Sequence, residues 1–173
     1  MESYYLVPLA AEHIPVMFGW HRIEKHDNRF TCRPVRKIGT EEQYAALRQK
    51  DMNDPAVKTY VLVRGEKPLA YTRLFDYNPR NRSAEFGYYM PQCNRGAGNG
   101  SRMLELFLKE AFTDESLALY KLYATTSAGN IPSNRLLQKF GFHLDGRLRE
   151  HYWVDGQKYD QMTYSLLRTE WEA

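Results

Sequence analysis

The chain has 173 residues, 43% of them apolar and 26% charged, with a formal net charge of +3, the size and balance of one globular domain spanning 1–173. Eleven Gly and eight Pro are too few for collagen or a disordered linker, no apolar run approaches the ~20 residues of a membrane-spanning helix, and the charge is too mild to imply nucleic acid. Two cysteines, Cys32 and Cys93, suit neither a disulfide framework nor a zinc site, so no metal is expected.

In chain order, residues 4–9 read as a short first strand. Residues 11–50 carry helical signals at Glu12–Trp20 and Glu41–Gln49, where Tyr44, Leu47 and Arg48 fall on one face. Asp51–Pro55 breaks that pattern. Thr59–Arg64, Leu69–Phe75 and Ala84–Met90 are three extended runs joined by polar turns, which is the pattern of an antiparallel meander. A Gly-rich loop, Arg95–Gly100, opens into the strongest helix, Ser101–Phe112, with Met103, Leu104, Phe107, Leu108 and Ala111 as its apolar stripe. Leu119–Thr126 is a strand, and a strand–loop–helix–strand unit places its two strands in parallel. A shorter helix follows at Pro132–Phe140, closed by Gly141. The tail, His143–Leu167, is a hairpin about Asp155-Gly156. The expected fold is α+β: a mixed, mostly antiparallel sheet flanked by helices, with one parallel step around the Gly-rich loop.

Two stretches carry chemistry. In Arg95-Gly96-Ala97-Gly98-Asn99-Gly100, three glycines let the backbone turn and approach a ligand, and the helix that follows presents unpaired N–H groups. The loop lacks the Gly-Lys-Ser/Thr ending of a nucleotide-binding P-loop and the spacing of a dinucleotide fingerprint. From the residues alone it is either a phosphate cradle or a flexible lead into a helix. The second stretch runs from Asn130 to Phe142, a polar cap followed by a short helix, in which Asn130 or Ser133 also reads as a simple cap.

Together the two stretches fit Q/R-x-x-G-x-G/A and N-x-x-S-x-x-x-L-x-K-x-G-F, and they resemble the GNAT superfamily of acyl-CoA-dependent N-acetyltransferases. The closing run Gly146–Tyr152, with Asp155-Gly156, Asp160 and Tyr164–Leu167, resembles the branch containing the ribosomal-protein alanine acetyltransferases. The resemblance is specific from Ala84 to Trp171, about half the chain, and weak over 10–55, where this superfamily builds its acceptor pocket. It implies acetyl transfer from acetyl-CoA to a primary amine (a small metabolite, an amino sugar or a peptide N-terminus) by direct attack in a ternary complex. A non-catalytic acyl-CoA sensor of the same fold is the alternative. A nucleic-acid-binding module would need a basic face, and the second half of the chain, with 10 basic and 10 acidic residues, is neutral.

Residue by residue, the resemblance implies that the backbone of Tyr88, Tyr89 and Met90 pairs with the pantetheine arm. The pyrophosphate is expected on the N–H groups of Gly96, Ala97, Gly98, Asn99, Gly100 and Ser101, with Arg95 close by. Asn130 is the expected pantetheine partner and Arg135 the partner of the 3′-phosphate. The Met90 N–H is the expected oxyanion donor. Glu85 is the first candidate for the base, acting through water, with Glu150 and Asp160 as rivals. Many superfamily members protonate the departing thiolate with a tyrosine two residues before the Lys of L-x-K-x-G-F. That position is Leu137 here, which cannot donate, and Ser133 takes its place as candidate. Cys93 as a covalent nucleophile is discounted, since no base for it is visible in the sequence.

Through Met90 the chain carries 14 basic and 11 acidic residues, and the excess gathers at Arg29, Arg33, Arg36 and Lys37. If those side chains face the acceptor, they disfavour a polycation and favour an amine bearing a carboxylate or phosphate. Otherwise they form a solvated loop. His13, His21 and His26 lack zinc spacing. The N-terminus shows no secretory pattern, so a cytoplasmic protein with no membrane or nucleic-acid partner is expected. Exposed strands in the final hairpin allow a homodimer.

Overall fold

The structure is a computed structural model, and it describes residues 3–23, 38–154 and 156–171. The basic cluster Arg29, Arg33, Arg36 and Lys37, along with His26 and Cys32, lies outside the described residues.

Seven strands form one sheet: β1 (Tyr4–Pro8), β2 (Lys58–Arg64), β3 (Lys67–Asn78), β4 (Ser83–Tyr89), β5 (Lys121–Ser127), β6 (His143–Val154) and β7 (Gln157–Leu167). Their spatial order is β1-β2-β3-β4-β5-β7-β6. The helices are α1 (Ile14–Ile23), α2 (Glu41–Asn53), α3 (Asn99–Thr113), α4 (Ile131–Lys139) and α5 (Arg168–Trp171). Every neighbouring pair of strands is antiparallel except β4 and β5. The meander, the parallel step and the closing hairpin thus follow the sequence pattern.

The period-2 alternation sorts side chains onto two faces. Tyr60, Leu74, Ala84 and Phe86 point to one face and form the larger core with Leu104, Phe107, Leu108 and Phe112 of α3 and Leu137 of α4. Val61 and Val63 point to the other face and pack with Met17, Phe18 and Trp20 of α1 and Tyr44 of α2. The five stripe positions of α3 are all buried, so its amphipathic pattern is satisfied by the sheet. On α2 the buried residues are Tyr44, Arg48 and Asp51. That is a polar stripe, because Asp51 bridges Arg48 (3.2 Å) and Arg73 of β3 (2.7 Å).

The parallel contact is short. β4 and β5 share only three registered pairs, Ser83↔Lys121, Ala84↔Leu122 and Glu85↔Tyr123. Beyond Glu85, β4 stays with β3 through Tyr71↔Tyr89, while β5 stays with β7 as far as Ser127↔Gln161. The two strands part, and the sheet opens between Phe86–Tyr89 and Ala124–Ser127.

Leu137 is fully buried among the α3 and β4 aromatics. Leu137→Ala is expected to cost about 2–5 kcal/mol through a cavity beneath α4, to be checked by urea unfolding.

Candidate functional site

The open end of the sheet is bordered by three fixed pieces of backbone. The first is the Gly-rich loop. Gly96 (φ +87°) and Gly98 (φ +76°) both adopt the left-handed region, and a Cβ placed on either meets nothing within 4 Å. Open space therefore lies over the loop, and only glycine holds this shape without strain. α3 starts at Asn99, two residues before the sequence suggests, and Gly98 is its cap residue. Gly100 and Ser101 thus belong to the first helical turn, where N–H groups lack intrahelical partners. No acidic residue sits in that turn.

Asn99 also contributes a side chain to the loop. Its side chain is buried and holds the loop from inside: Nδ2 donates to the Asn94 carbonyl (2.8 Å), and Oδ1 accepts from the Tyr4 hydroxyl (3.0 Å). Asn94 in turn donates to the Leu69 carbonyl (2.7 Å). The loop is therefore no slack connection, since its shape is tied to β1 and β3. Arg95 is exposed, and its Nε donates to the Met90 carbonyl (2.9 Å), which fixes the turn just past β4.

The second piece is the start of α4. Asn130 is its cap, with Oδ1 accepting from the Ser133 N–H (3.3 Å). Asn134 clamps the same end, donating to the carbonyls of Ser127 (3.0 Å) and Asn130 (2.7 Å) and accepting from the Tyr164 hydroxyl (2.9 Å). Nothing local in the sequence signals this clamp, because both Ser127 and Tyr164 reach Asn134 only through the fold. Arg135 lies exposed on α4. A cation the sequence reading passed over is Lys139, whose Nζ donates to Ser101 Oγ (2.9 Å) at the mouth of α3. The Lys of L-x-K-x-G-F was its only signal. Positive charge beside a helix N-terminus suits an anion, and the donor set fits a diphosphate.

The third piece is β4. Its side chains alternate, so Glu85, Gly87 and Tyr89 face α1 and α2 while Phe86 and Tyr88 face α3 and α4. On the first face, the Tyr89 ring lies tilted against Tyr71 (centroids 5.6 Å apart) and Trp20 (6.4 Å). Glu85 is buried and accepts from Thr125 Oγ1 of β5 (2.9 Å), just where the two strands separate. Gly87 leaves a bare spot flanked by Arg73, its register partner, and by Phe75, 3.6 Å from a Cβ placed on Gly87. On the second face, the Tyr88 hydroxyl lies 2.7 Å from Ser133 Oγ, and burial pushes its phenol up to about 12. The structure thus sets Glu85 and Ser133 on opposite sides of one strand, each beside the gap.

The rival carboxylates are engaged elsewhere. Asp160 pairs with Arg147 and accepts from the Glu150 N–H (2.8 Å), and these contacts hold its carboxyl below the usual range. Glu150 takes Lys158 (2.7 Å). Cys93 is exposed and points to Asn94. Among the described residues, no group of three His, Cys, Asp or Glu side chains is placed to hold a metal ion, and no helix is long and apolar enough to cross a membrane.

Residues 4–143 match the acetyltransferase (GNAT) domain family. The putative ribosomal N-acetyltransferase YdaF of Bacillus subtilis is 33% identical over 93 residues, covering 54% of this chain and 50% of its own, so the chain spans about half the length of that relative. The spermidine N(1)-acetyltransferase of Escherichia coli K12 is 26% identical over 146 residues, 78% of this chain and 77% of its own. A solved structure of spermidine N-acetyltransferase from Vibrio cholerae, in complex with CoA and spermine, superposes with a TM-score of 0.87 over 98% of both chains at 19% identity, which is a likeness of fold.

Asn99→Ala is expected to remove two buried hydrogen bonds and cost about 1–3 kcal/mol. It should also raise hydrogen exchange in the 94–100 loop above that of the α3 interior, measured by mass spectrometry.

Proposed function

Because the chain belongs to the GNAT acetyltransferase domain family, we propose that it transfers an acetyl group from acetyl-CoA to a primary amine by direct attack, with donor and acceptor bound together. The observation that carries this reading is the parting of β4 and β5 after three pairs, opposite the open N-terminus of α3. A strand that loses its neighbour leaves backbone N–H and C=O groups to be satisfied, and an extended amide chain satisfies them as an added strand would.

The coenzyme side of the site is the α3/α4 face. The N–H groups from Gly96 to Ser101 cradle the diphosphate, Arg95 and Lys139 supply charge, and Tyr88, Tyr89 and Met90 offer backbone to pantetheine. Asn130 spends its oxygen on the helix cap and keeps its amide nitrogen for a carbonyl. Arg135 is assigned to the 3′-phosphate. Acetyl-CoA supplies an activated acyl group and a thiol leaving group.

The amine side is the α1/α2 face. An alkylammonium has a pKa of about 10.4, so it must lose a proton before it attacks. Glu85 is the carboxylate set beside the gap on that face, and it receives the proton through water. The Met90 N–H, just past the end of β4, is assigned to the carbonyl oxygen as negative charge develops there. Ser133, on the far face, offers its hydroxyl to the departing sulfur. An aliphatic hydroxyl is a weak acid, so it acts as a hydrogen-bond donor. The acceptor is a small amine, an amino sugar or a peptide N-terminus. Relatives named for ribosomal and for spermidine acetylation both match this chain.

Gly98→Trp is expected to fill the cradle and abolish acetyl-CoA binding in calorimetry, and an unchanged affinity would remove the loop from the site. Thiol release should be followed with spermidine, an alanyl peptide and an amino sugar as acceptors. Binding of the coenzyme with no release from any of them would overturn the enzymatic reading. With an active amine, Glu85→Gln should lower kcat by about 10²–10⁴-fold and leave acetyl-CoA affinity unchanged.

A further inference from the structure

Ser133 poses a problem of direction. A serine hydroxyl has one hydrogen and can serve the departing sulfur only if that hydrogen is not spent elsewhere. Its described side-chain partner is the Tyr88 hydroxyl at 2.7 Å, and from geometry alone either oxygen could be the donor.

The surroundings of Tyr88 resolve the ambiguity. Its ring lies 6.2 Å from Phe86, stacked, and packs against both the larger core and the smaller cluster around Leu62 and Met103. The ring is therefore held in place, and Ser133 Oγ is the one side-chain partner of its hydroxyl among the described residues. A phenol in an apolar wall that kept its hydrogen unpaired would bear a desolvation penalty. Ser133 is half-buried, as Tyr88 is, but a phenol is a far stronger acid than an aliphatic hydroxyl, so the phenol is the better donor of the pair and the serine oxygen the better acceptor. The lower-energy arrangement has the phenol donating and the serine hydrogen turned into the gap.

We infer that Tyr88 is a positioning residue: its phenol donates to Ser133 Oγ across the mouth of the β4–β5 gap and so aims the serine hydrogen at the coenzyme sulfur. This rests on the acetyl-transfer reading above. Leu137 of α4 is fully buried and apolar, so it offers the sulfur no donor, whereas Tyr88 brings a phenol to Ser133 from β4.

Magnitudes limit what the pair does. A thiol resembling cysteine has a pKa of about 8.5, whereas burial holds the Tyr88 phenol near 12. Passing the phenolic proton through Ser133 to the sulfur would run uphill by more than three pH units. When the carbon–sulfur bond breaks, its electron pair stays on sulfur, and both hydroxyls keep their protons. The pair stabilises the thiolate by a charge-assisted hydrogen bond whose donor is itself polarised by a second one.

The test reads the thiolate itself and needs no acceptor amine. Coenzyme A is mixed with excess protein and alkylated with iodoacetamide across pH, the adduct being quantified by mass spectrometry. In the wild-type protein the bound thiol should titrate below free coenzyme A. Tyr88→Phe should raise it by about one pH unit, a tenfold loss of thiolate at fixed pH; because it removes the hydroxyl and keeps the strand backbone, the affinity for acetyl-CoA, which has no ionisable thiol, should stay within twofold in calorimetry. Ser133→Ala should raise it at least as far, and the double variant no further than Ser133→Ala. An unshifted titration in Tyr88→Phe overturns the inference. So does an added shift in the double variant, which would make Tyr88 a direct partner of sulfur, and so does a loss of acetyl-CoA affinity, which would make its hydroxyl a binding group. If the wild-type protein binds no coenzyme A, the acetyl-transfer reading fails instead.

Discussion

β5 cannot follow β4, and the site depends on that constraint. Seven registered pairs tie β5 to β7, and six tie β4 to β3. With only three pairs between them, each strand is held more firmly by its outer neighbour. The right-handed twist that accumulates across a sheet therefore appears as a gap at one end of this ladder. An open backbone seam inside a sheet is costly unless something fills it, and the proposed occupant, with amides of its own, would fill it.

The neighbouring pieces converge on this seam because of chain connectivity. The loop after β4 must turn back to reach α3, and its glycines bring the helix mouth to the seam. The chain leaving β5 enters α4 within four residues, which brings Asn130 and Ser133 to the other lip. Buried amides hold both lips: Asn94 and Asn99 fix the first to β1 and β3, and Asn134 fixes the second to β5 and β7. Such preorganised contacts let a binding site form without ordering loops at the moment of binding.

Alternation along β4 divides the labour. Glu85 and Tyr88 are three residues apart, an odd number, so they face opposite sides of the sheet. The carboxylate is placed with the polar floor made by Arg73, Arg48 and Asp51, and the phenol with the α3/α4 core. In the proposed reaction, a group threaded through the seam would meet Glu85 on one side and the Ser133 hydroxyl on the other, so that the proton leaving the amine and the charge building on sulfur fall on opposite sides of the sheet.

Much of this was written locally. The period-2 runs, the Gly-x-Gly loop and the α3 stripe are each set by nearest-neighbour sterics and by burial of one face, and the sequence alone determined them; α4 was placed to within a residue at each end, running Ile131–Lys139 where Pro132–Phe140 was expected. The buried polar links were not legible. Asn99 reads as one more loop residue until Tyr4, ninety-five positions earlier, lies against it. Tyr88 reads as a strand aromatic until α4 sets Ser133 beside it. Glu85, Glu150 and Asp160 are equal as carboxylates in a string of letters; ion pairs engage two of them, and strand register places the third at the seam. Those outcomes belong to the tertiary structure, because a hydrogen bond between distant residues depends on how far two strands diverge, a distance that no local propensity encodes.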